Sequence, residues 1–229
     1  MPIKAITFDL DDTLWAIEPV IARAEQRVHA WLSRHYPGIA ARYDVEALRH
    51  LREQVARDYP DLAHDFSHMR KESLRRAAQD SGYPDDAAVE EAFTVFMNAR
   101  NEVSLFDEVL PVLERINKRY TLGALSNGNA NLERIGIAHH FEFHLSALNI
   151  GKPKPHRAMF DAACELANTL PSEMIHVGDH PQHDIEGAAA VGIRTVWINR
   201  QRETWSGALA PDAQITNLTE LEVLLEQWR

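Results

Sequence analysis

A chain of 229 residues is long enough for one large domain or for a domain carrying a module, and its 45% hydrophobic and 25% charged residues are ordinary for a globular protein. Asp and Glu outnumber Lys and Arg by 34 to 24, a formal net charge of −10. That balance excludes nucleic acid and an anionic membrane as the main partner, but leaves room for a small anionic substrate met by locally concentrated cations.

The first strand-like run, IKAITF at 3–8, begins too early to leave room for a signal peptide, and no apolar stretch approaches the ~20 residues of a spanning helix. The sequence reads as a soluble cytoplasmic protein. Directly behind the run come Asp9, Asp11 and Asp12, carboxylates whose mutual repulsion at the end of a buried strand requires an explanation.

Between Trp15 and about Val103 the pattern changes. Apolar residues recur at spacings of three and four: Ile17, Val20, Ile21, Ala24, Val28; Val45, Leu48, Leu51, Val55; Phe66, Met69, Ser73, Ala77; Val89, Phe93, Phe96. Turn signals at Pro37-Gly38, Pro60-Asp61 and Gly82-Tyr83-Pro84 separate them, which predicts four amphipathic helices, either a packed decoration or a lid over the strand ends.

Strand-like runs then return as TLGALS (121–126), FEFHLS (141–146), EMIHVG (173–178) and RTVWIN (194–199), with helical spacing after the middle ones, as at Phe160, Cys164 and Ala167. Alternating strands and helices predict an α/β fold with a parallel sheet, and strands buried on both faces account for the missing polar alternation. Cys164 is the single cysteine, so no internal disulfide forms and a reducing cytosol suits the chain.

In open α/β sheets the ligand site lies beyond the carboxyl ends of the strands. The residues that follow these runs therefore converge: Asp9 to Thr13, Ser126-Asn127-Gly128, Gly151-Lys152-Pro153-Lys154-Pro155, and Gly178-Asp179 with Asp184 five residues on. A hard divalent cation explains crowded carboxylates, with waters and a substrate phosphate completing an octahedral Mg²⁺ shell. Lys152 and the amides around Ser126 and Asn127 suit phosphate oxygens. Asp9 and Asp11, two apart on extended backbone, point the same way, so one carboxylate can attack phosphorus while the next protonates the leaving oxygen.

With these motifs in order, the sequence resembles the haloacid dehalogenase superfamily of phosphohydrolases. DLDDT is similar to its Asp-x-Asp-x-Thr motif, LSNG to the strand ending in Ser or Thr, GKPKP to its Lys-Pro-x-Pro, and VGDHPQHD to its Gly-Asp-x-x-x-x-Asp. The resemblance implies a Rossmann-like parallel core from residues 1–14 and 104–229 and a helical cap from residues 15–103. It implies Asp9 as nucleophile forming an aspartyl-phosphate and Asp11 as proton donor and then activator of water. Mg²⁺ would be held by Asp9, the Asp11 backbone carbonyl and Asp179, with Asp184 supporting the metal's water shell. Ser126, Asn127 and Lys152 would bind the phosphoryl group, motif register favouring Lys152 over Lys154.

Asp12 is expected to shape the turn. His180 and His183 flank the metal motif where the family more often has Ser or Asn, and local hydrogen bonding there stays open. Trp15 either lines the pocket or packs at the cap hinge. Arg70, in the basic stretch HDFSHMRKESLRR, belongs either to a solvated helix face or to a cationic funnel for substrate. Core packing is the stronger expectation for cap aromatics such as Phe66 than stacking on an aromatic substrate.

Asp11 argues against a haloacid dehalogenase, whose halide leaving group needs no proton. ITFDLDDTLW, EPVIARAE, SNGNA and HFEFHLSA further resemble the bacterial flavin mononucleotide phosphatases, which implies FMN or the phosphorylated ribitylaminouracil intermediate of riboflavin synthesis as substrate. Another sugar phosphate or nucleotide, a phosphomutase, and a phosphometabolite sensor without turnover remain alternatives. The composition allows monomer or homodimer.

Overall fold

The computed structural model describes residues 2–84 and 86–228. It divides the chain into two compact units, one of residues 1–16, 104–128 and 132–229 and the other of residues 17–103 with 129–131.

The first unit is built on β1 (Ala5–Phe8), β2 (Thr121–Ser126), β3 (Phe143–Ser146), β4 (Met174–Gly178), β5 (Arg194–Ile198) and β6 (Ala213–Ile215). They form one sheet in the order β3-β2-β1-β4-β5-β6, parallel throughout. Every residue of β1 and β4 is buried, as expected for strands covered on both faces. β1 lies centrally, with Phe8 opposite Ala124 of β2 and Val177 of β4. Because the chain leaves β1 toward β2 on one side and later adds β4 on the other, the connections diverge between β1 and β4. A crevice opens at such a switch point beyond the strand ends.

The expectation of a parallel α/β sheet holds, with five of its strands legible in advance. β6 went unread because three residues at a sheet edge, Ala213-Gln214-Ile215, carry too short an apolar signal to register.

The second unit is helical: α1 (Ile17–His35), α2 (Pro37–Arg42), α3 (Val45–Asp58), α4 (Phe66–Asp80) and α5 (Ala87–Arg100). Its core gathers Ala24, Val28, Leu32, Leu48, Leu74, Ala77, Val89 and Phe96, largely the residues picked out by the helical period. Asp44 and Asp65 cap α3 and α4, accepting the N–H of Ala47 at 2.7 Å and of His68 at 2.9 Å. Four long helices match the four expected. The turn signals at Pro37 and Pro60 instead begin the short α2 and a 3₁₀ turn over Pro60–Leu62, since proline's fixed φ suits a first helical residue.

Two details differ from the sequence reading. Trp15 and Ala16 belong to the sheet unit, so the helical unit begins at Ile17, and Asn129–Asn131 join it. Asn131 N–H bonds Asn101 Oδ1 at 2.8 Å, and Asn129 donates to Ser67 Oγ at 3.1 Å. Phe66, expected in the core, is 50% exposed. As the first residue of α4 it lies at the element's rim, where helical spacing alone does not settle burial. Among the described residues no helix is long and apolar enough to cross a membrane.

Candidate active site

Asp9 follows β1 directly and its N–H bonds Val177 O at 2.9 Å, continuing the ladder one residue past the strand. The chain then turns sharply: Asp12 takes φ +59, in the left-handed region that Asp tolerates, and its N–H bonds Trp15 O at 2.7 Å. Asp12 serves the turn, as its position suggested. The turn returns Trp15 over Asp11, whose Oδ1 accepts the indole N–H at 2.9 Å. Trp15 is fully buried, and its polar edge orients the second aspartate.

Around Asp9 the structure gathers a buried ionic cluster. Lys154 Nζ lies 2.6 Å from Asp9 Oδ1 and 2.6 Å from Asp184 Oδ1. Asp9, Asp179 and Asp184 offer oxygens that lie within 4.8 Å of one another. Burial pushes the Asp9 carboxyl well above its ordinary value despite Lys154, with Asp184 and Asp179 adding to the rise. Asp179 is pushed up to about 7 by burial, then by Asp184 and Asp12. Burial would also raise Asp184, but Lys154 and His176 hold it below the usual carboxylate range. Burial disfavours the charge on Lys154, yet Asp184 and Asp9 outweigh it and hold the ammonium above its ordinary value. One lysine cannot balance three ionised carboxylates, so full ionisation of the cluster calls for a further cation, and oxygen donors so placed suit a hard divalent one.

The lysine in this cluster corrects the sequence reading. Lys152 is exposed, whereas Lys154 is buried at 2% exposure. The physical cause is a clasp from another loop. Asn127 Oδ1 accepts the Lys154 N–H at 2.7 Å, and Asn127 Nδ2 donates to Lys154 O at 3.0 Å. Asn127 thus fixes the backbone of Lys154 and aims its side chain inward. Ser126, the last residue of β2, is buried, and its Oγ accepts the Gly128 N–H at 2.9 Å, so its own proton remains to donate.

The remaining walls come partly from Thr13 and Gly178, which the motifs already contain, and partly from Trp197, Arg200 and Glu108, which the sequence reading did not single out. Thr13 Oγ1 donates to Asp179 Oδ1 at 3.2 Å, and the Trp197 indole donates to Asp179 O at 2.7 Å. Arg200 donates to Thr13 O through Nη2 at 2.8 Å and pairs with Glu108 at 2.8 Å, bracing the first loop from behind. Gly178 has a specific reason to be glycine: a Cβ there would lie 2.3 Å from Asp184 Cγ. His180 and His183 stack at 3.8 Å, and His180 Nδ1 accepts the N–H groups of Gln182 and His183 at 3.2 Å each. His180 therefore caps the π-helical turn Pro181–Glu186, which carries Asp184, and the carboxylate cluster contains neither histidine. Arg70 is engaged inside the helical unit, 3.5 Å from Glu25 and 3.5 Å over the Phe96 ring. Burial and the nearby Arg52 draw its guanidinium down to about 9.

A parallel sheet with a nucleophile-capable aspartate at its switch point, beside a buried lysine and two further carboxylates, defines a hydrolase of the aspartate-centred α/β class. Residues 3–192 match the family described as haloacid dehalogenase-like hydrolase, and the chain belongs to that family. It is 32% identical over 230 residues to the 5-amino-6-(5-phospho-D-ribitylamino)uracil phosphatase YigB of Escherichia coli, covering 97% of this chain and 96% of that protein. It is 31% identical over 159 residues to a phosphoserine phosphatase of Thermus thermophilus, covering 67% of this chain and 64% of that one. Among solved structures, a 2-haloacid dehalogenase from Pseudomonas syringae superposes with a TM-score of 0.93 at 40% identity, covering 99% of this chain and all of that one.

Proposed function

We propose that the protein is a Mg²⁺-dependent phosphomonoester hydrolase that works through an aspartyl-phosphate on Asp9, with FMN or a phosphorylated riboflavin precursor as substrate. The observation that carries this reading is the division of labour between Asp9 and Asp11. Asp9 is buried against the Lys154 ammonium at 2.6 Å, whereas Asp11 is half-buried and oriented by the Trp15 indole at 2.9 Å. Two carboxylates held in different surroundings suit two roles.

An Asp9 oxygen bonds to phosphorus as the ester P–O bond breaks, and protonated Asp11 gives its proton to the departing alkoxide. Asp11, now ionised, takes a proton from water as that water attacks phosphorus. The bond to Asp9 then breaks, leaving inorganic phosphate and the free carboxylate. Lys154, Ser126 and the amides beside Asn127 hold the phosphoryl oxygens throughout. Asp9, Asp179 and the turn at Asp11 would hold Mg²⁺, with Asp184 behind them, and the ion supplies Lewis-acid stabilisation of phosphoryl charge when bound. The riboflavin-pathway substrate is supported by the similarity to the Escherichia coli phosphatase across nearly the whole of both chains.

The 40% identity to a protein described as a 2-haloacid dehalogenase favours a second reading, halide displacement by Asp9. Asp11 weighs against it, because expelling halide calls for no proton donor. The test is phosphate release from FMN, the ribitylaminouracil phosphate, sugar phosphates and nucleotides, with and without Mg²⁺, beside halide release from 2-chloropropionate. Mg²⁺-dependent phosphate release that favours the flavin-type esters and vanishes in Asp9→Asn is expected. Release from other esters alone removes the substrate assignment. Halide release without phosphate release overturns the reading.

A further inference from the structure

His176 lies in β4 with 0% exposure, in the middle of a parallel sheet where a polar ring is costly unless both nitrogens find partners. Its register partner on β1 is Thr7, two residues before Asp9. Thr7 Oγ1 lies 2.9 Å from Nδ1, and Nε2 lies 3.2 Å from Asp184 Oδ1, while the edge of the ring meets Phe160 with centroids 5.4 Å apart. A satisfied core pair would end at Thr7. Here the second nitrogen instead reaches the same Asp184 oxygen that accepts Lys154 Nζ, and Lys154 in turn holds Asp9. The other Asp184 oxygen accepts the His180 N–H at 3.0 Å. Asp184 is therefore gripped from three directions, by the lysine, by the π-helical turn, and by an imidazole from inside the sheet.

We infer that His176 is a positioning residue: its Nε2–H, backed by Thr7, fixes the orientation of the Asp184 carboxylate and through it the Lys154–Asp9 pair. The imidazole acts from the core side, through its contact with Asp184. Its effect should fall on turnover and on cation binding rather than on substrate affinity. A partner that orients a metal-site carboxylate commonly contributes about 10- to 100-fold to metal affinity or activity. The inference rests on reading Asp9, Lys154 and Asp184 as the reaction centre.

The test uses the full chain and Mn²⁺, titrated by electron paramagnetic resonance without substrate, alongside kinetics on p-nitrophenyl phosphate. His176→Phe keeps an aromatic ring and removes the donor, whereas His176→Gln places an amide N–H near the position of Nε2. The expected result is weaker Mn²⁺ binding and lower kcat in His176→Phe, each by about 10- to 100-fold, with KM near wild type and substantial recovery in His176→Gln. A folded His176→Phe with wild-type Mn²⁺ affinity and kcat overturns the inference, as do equal losses in both variants. Should His176→Phe fail to fold, a long-range ¹H–¹⁵N spectrum of the wild type decides. A slowly exchanging Nε2–H that shifts in Asp184→Asn supports the inference, and an unprotonated Nε2 overturns it. Retained turnover in Asp9→Asn would instead defeat the reading of the reaction centre, and the Mn²⁺ and spectral measurements would still judge His176.

Discussion

Replacing Lys154 by methionine removes one cation and keeps most of the side-chain volume. Its Nζ sits 2.6 Å from an oxygen of Asp9 and 2.6 Å from an oxygen of Asp184, both largely buried. At that distance and an effective dielectric near 20, each contact is worth roughly 6 kcal/mol of attraction before desolvation, which cancels most of it. Removing one partner of a buried pair leaves the others charged and unmatched, and such losses run to about 3–5 kcal/mol. For a chain of this size that corresponds to a fall in Tm of ~6–20 °C. Lys152→Met, by contrast, alters an exposed side chain and should change stability by no more than about 0.5 kcal/mol. Thermal unfolding in metal-free buffer measures both variants, and phosphate release measures their turnover. Adding Asp184→Asn to Lys154→Met removes an orphaned charge and should restore part of the lost stability, since the two sites share a contact. A Lys154→Met protein that melts within ~2 °C of wild type, beside a Lys152→Met protein that has lost activity, would refute the assignment of the buried lysine.

Gly178→Ala puts a Cβ 2.3 Å from Asp184 Cγ, and because that carboxylate is tethered on three sides the clash should cost about 1–3 kcal/mol and abolish turnover. Combining it with Asp184→Ala relieves the clash, so the two stability losses should be less than additive, and activity should not return. Asp179 is pushed up to about 7, so in the cation-free protein it keeps a proton that the unfolded chain loses near pH 4. Its contribution to stability is complete below about pH 4 and is lost as pH rises through about 7. A cation competes with that proton, so the rise in Tm on adding Mg²⁺ should be larger near pH 8 than near pH 5.5, and an equal rise at both would contradict it. Burial, followed by Asp161, pushes the Cys164 thiol up to about 11, so it should resist iodoacetamide at about pH 8 until the chain unfolds. Rapid labelling of the folded protein would count against that.

The first aspartate motif, the later aspartate pair and the helical segment were legible because each rests on local chemistry. Asp9 and Asp11 stand two apart behind an apolar run, Asp179 and Asp184 follow another, and the helical segment shows its period of three and four residues. Residue type and spacing along a strand or helix decide which side chains share a face, and the sequence contains that information in full. The choice between Lys152 and Lys154 is of another kind. Two lysines two residues apart in an extended turn are equivalent by spacing, and what separates them is Asn127, 27 residues away, whose side chain clasps the backbone of Lys154. His176 and Thr7 show the same limit. Each reads as an ordinary strand residue, and their link to Asp184 exists because β1 and β4 lie side by side in one register. Local periodicity fixes neither the order of strands nor the residue that faces another across them. The sequence by itself determined five of the strands, the four long helices and the acidic residues that gather at the strand ends. Tertiary structure decided which lysine, which brace and which histidine complete the site, because those contacts arise from pairing between distant segments.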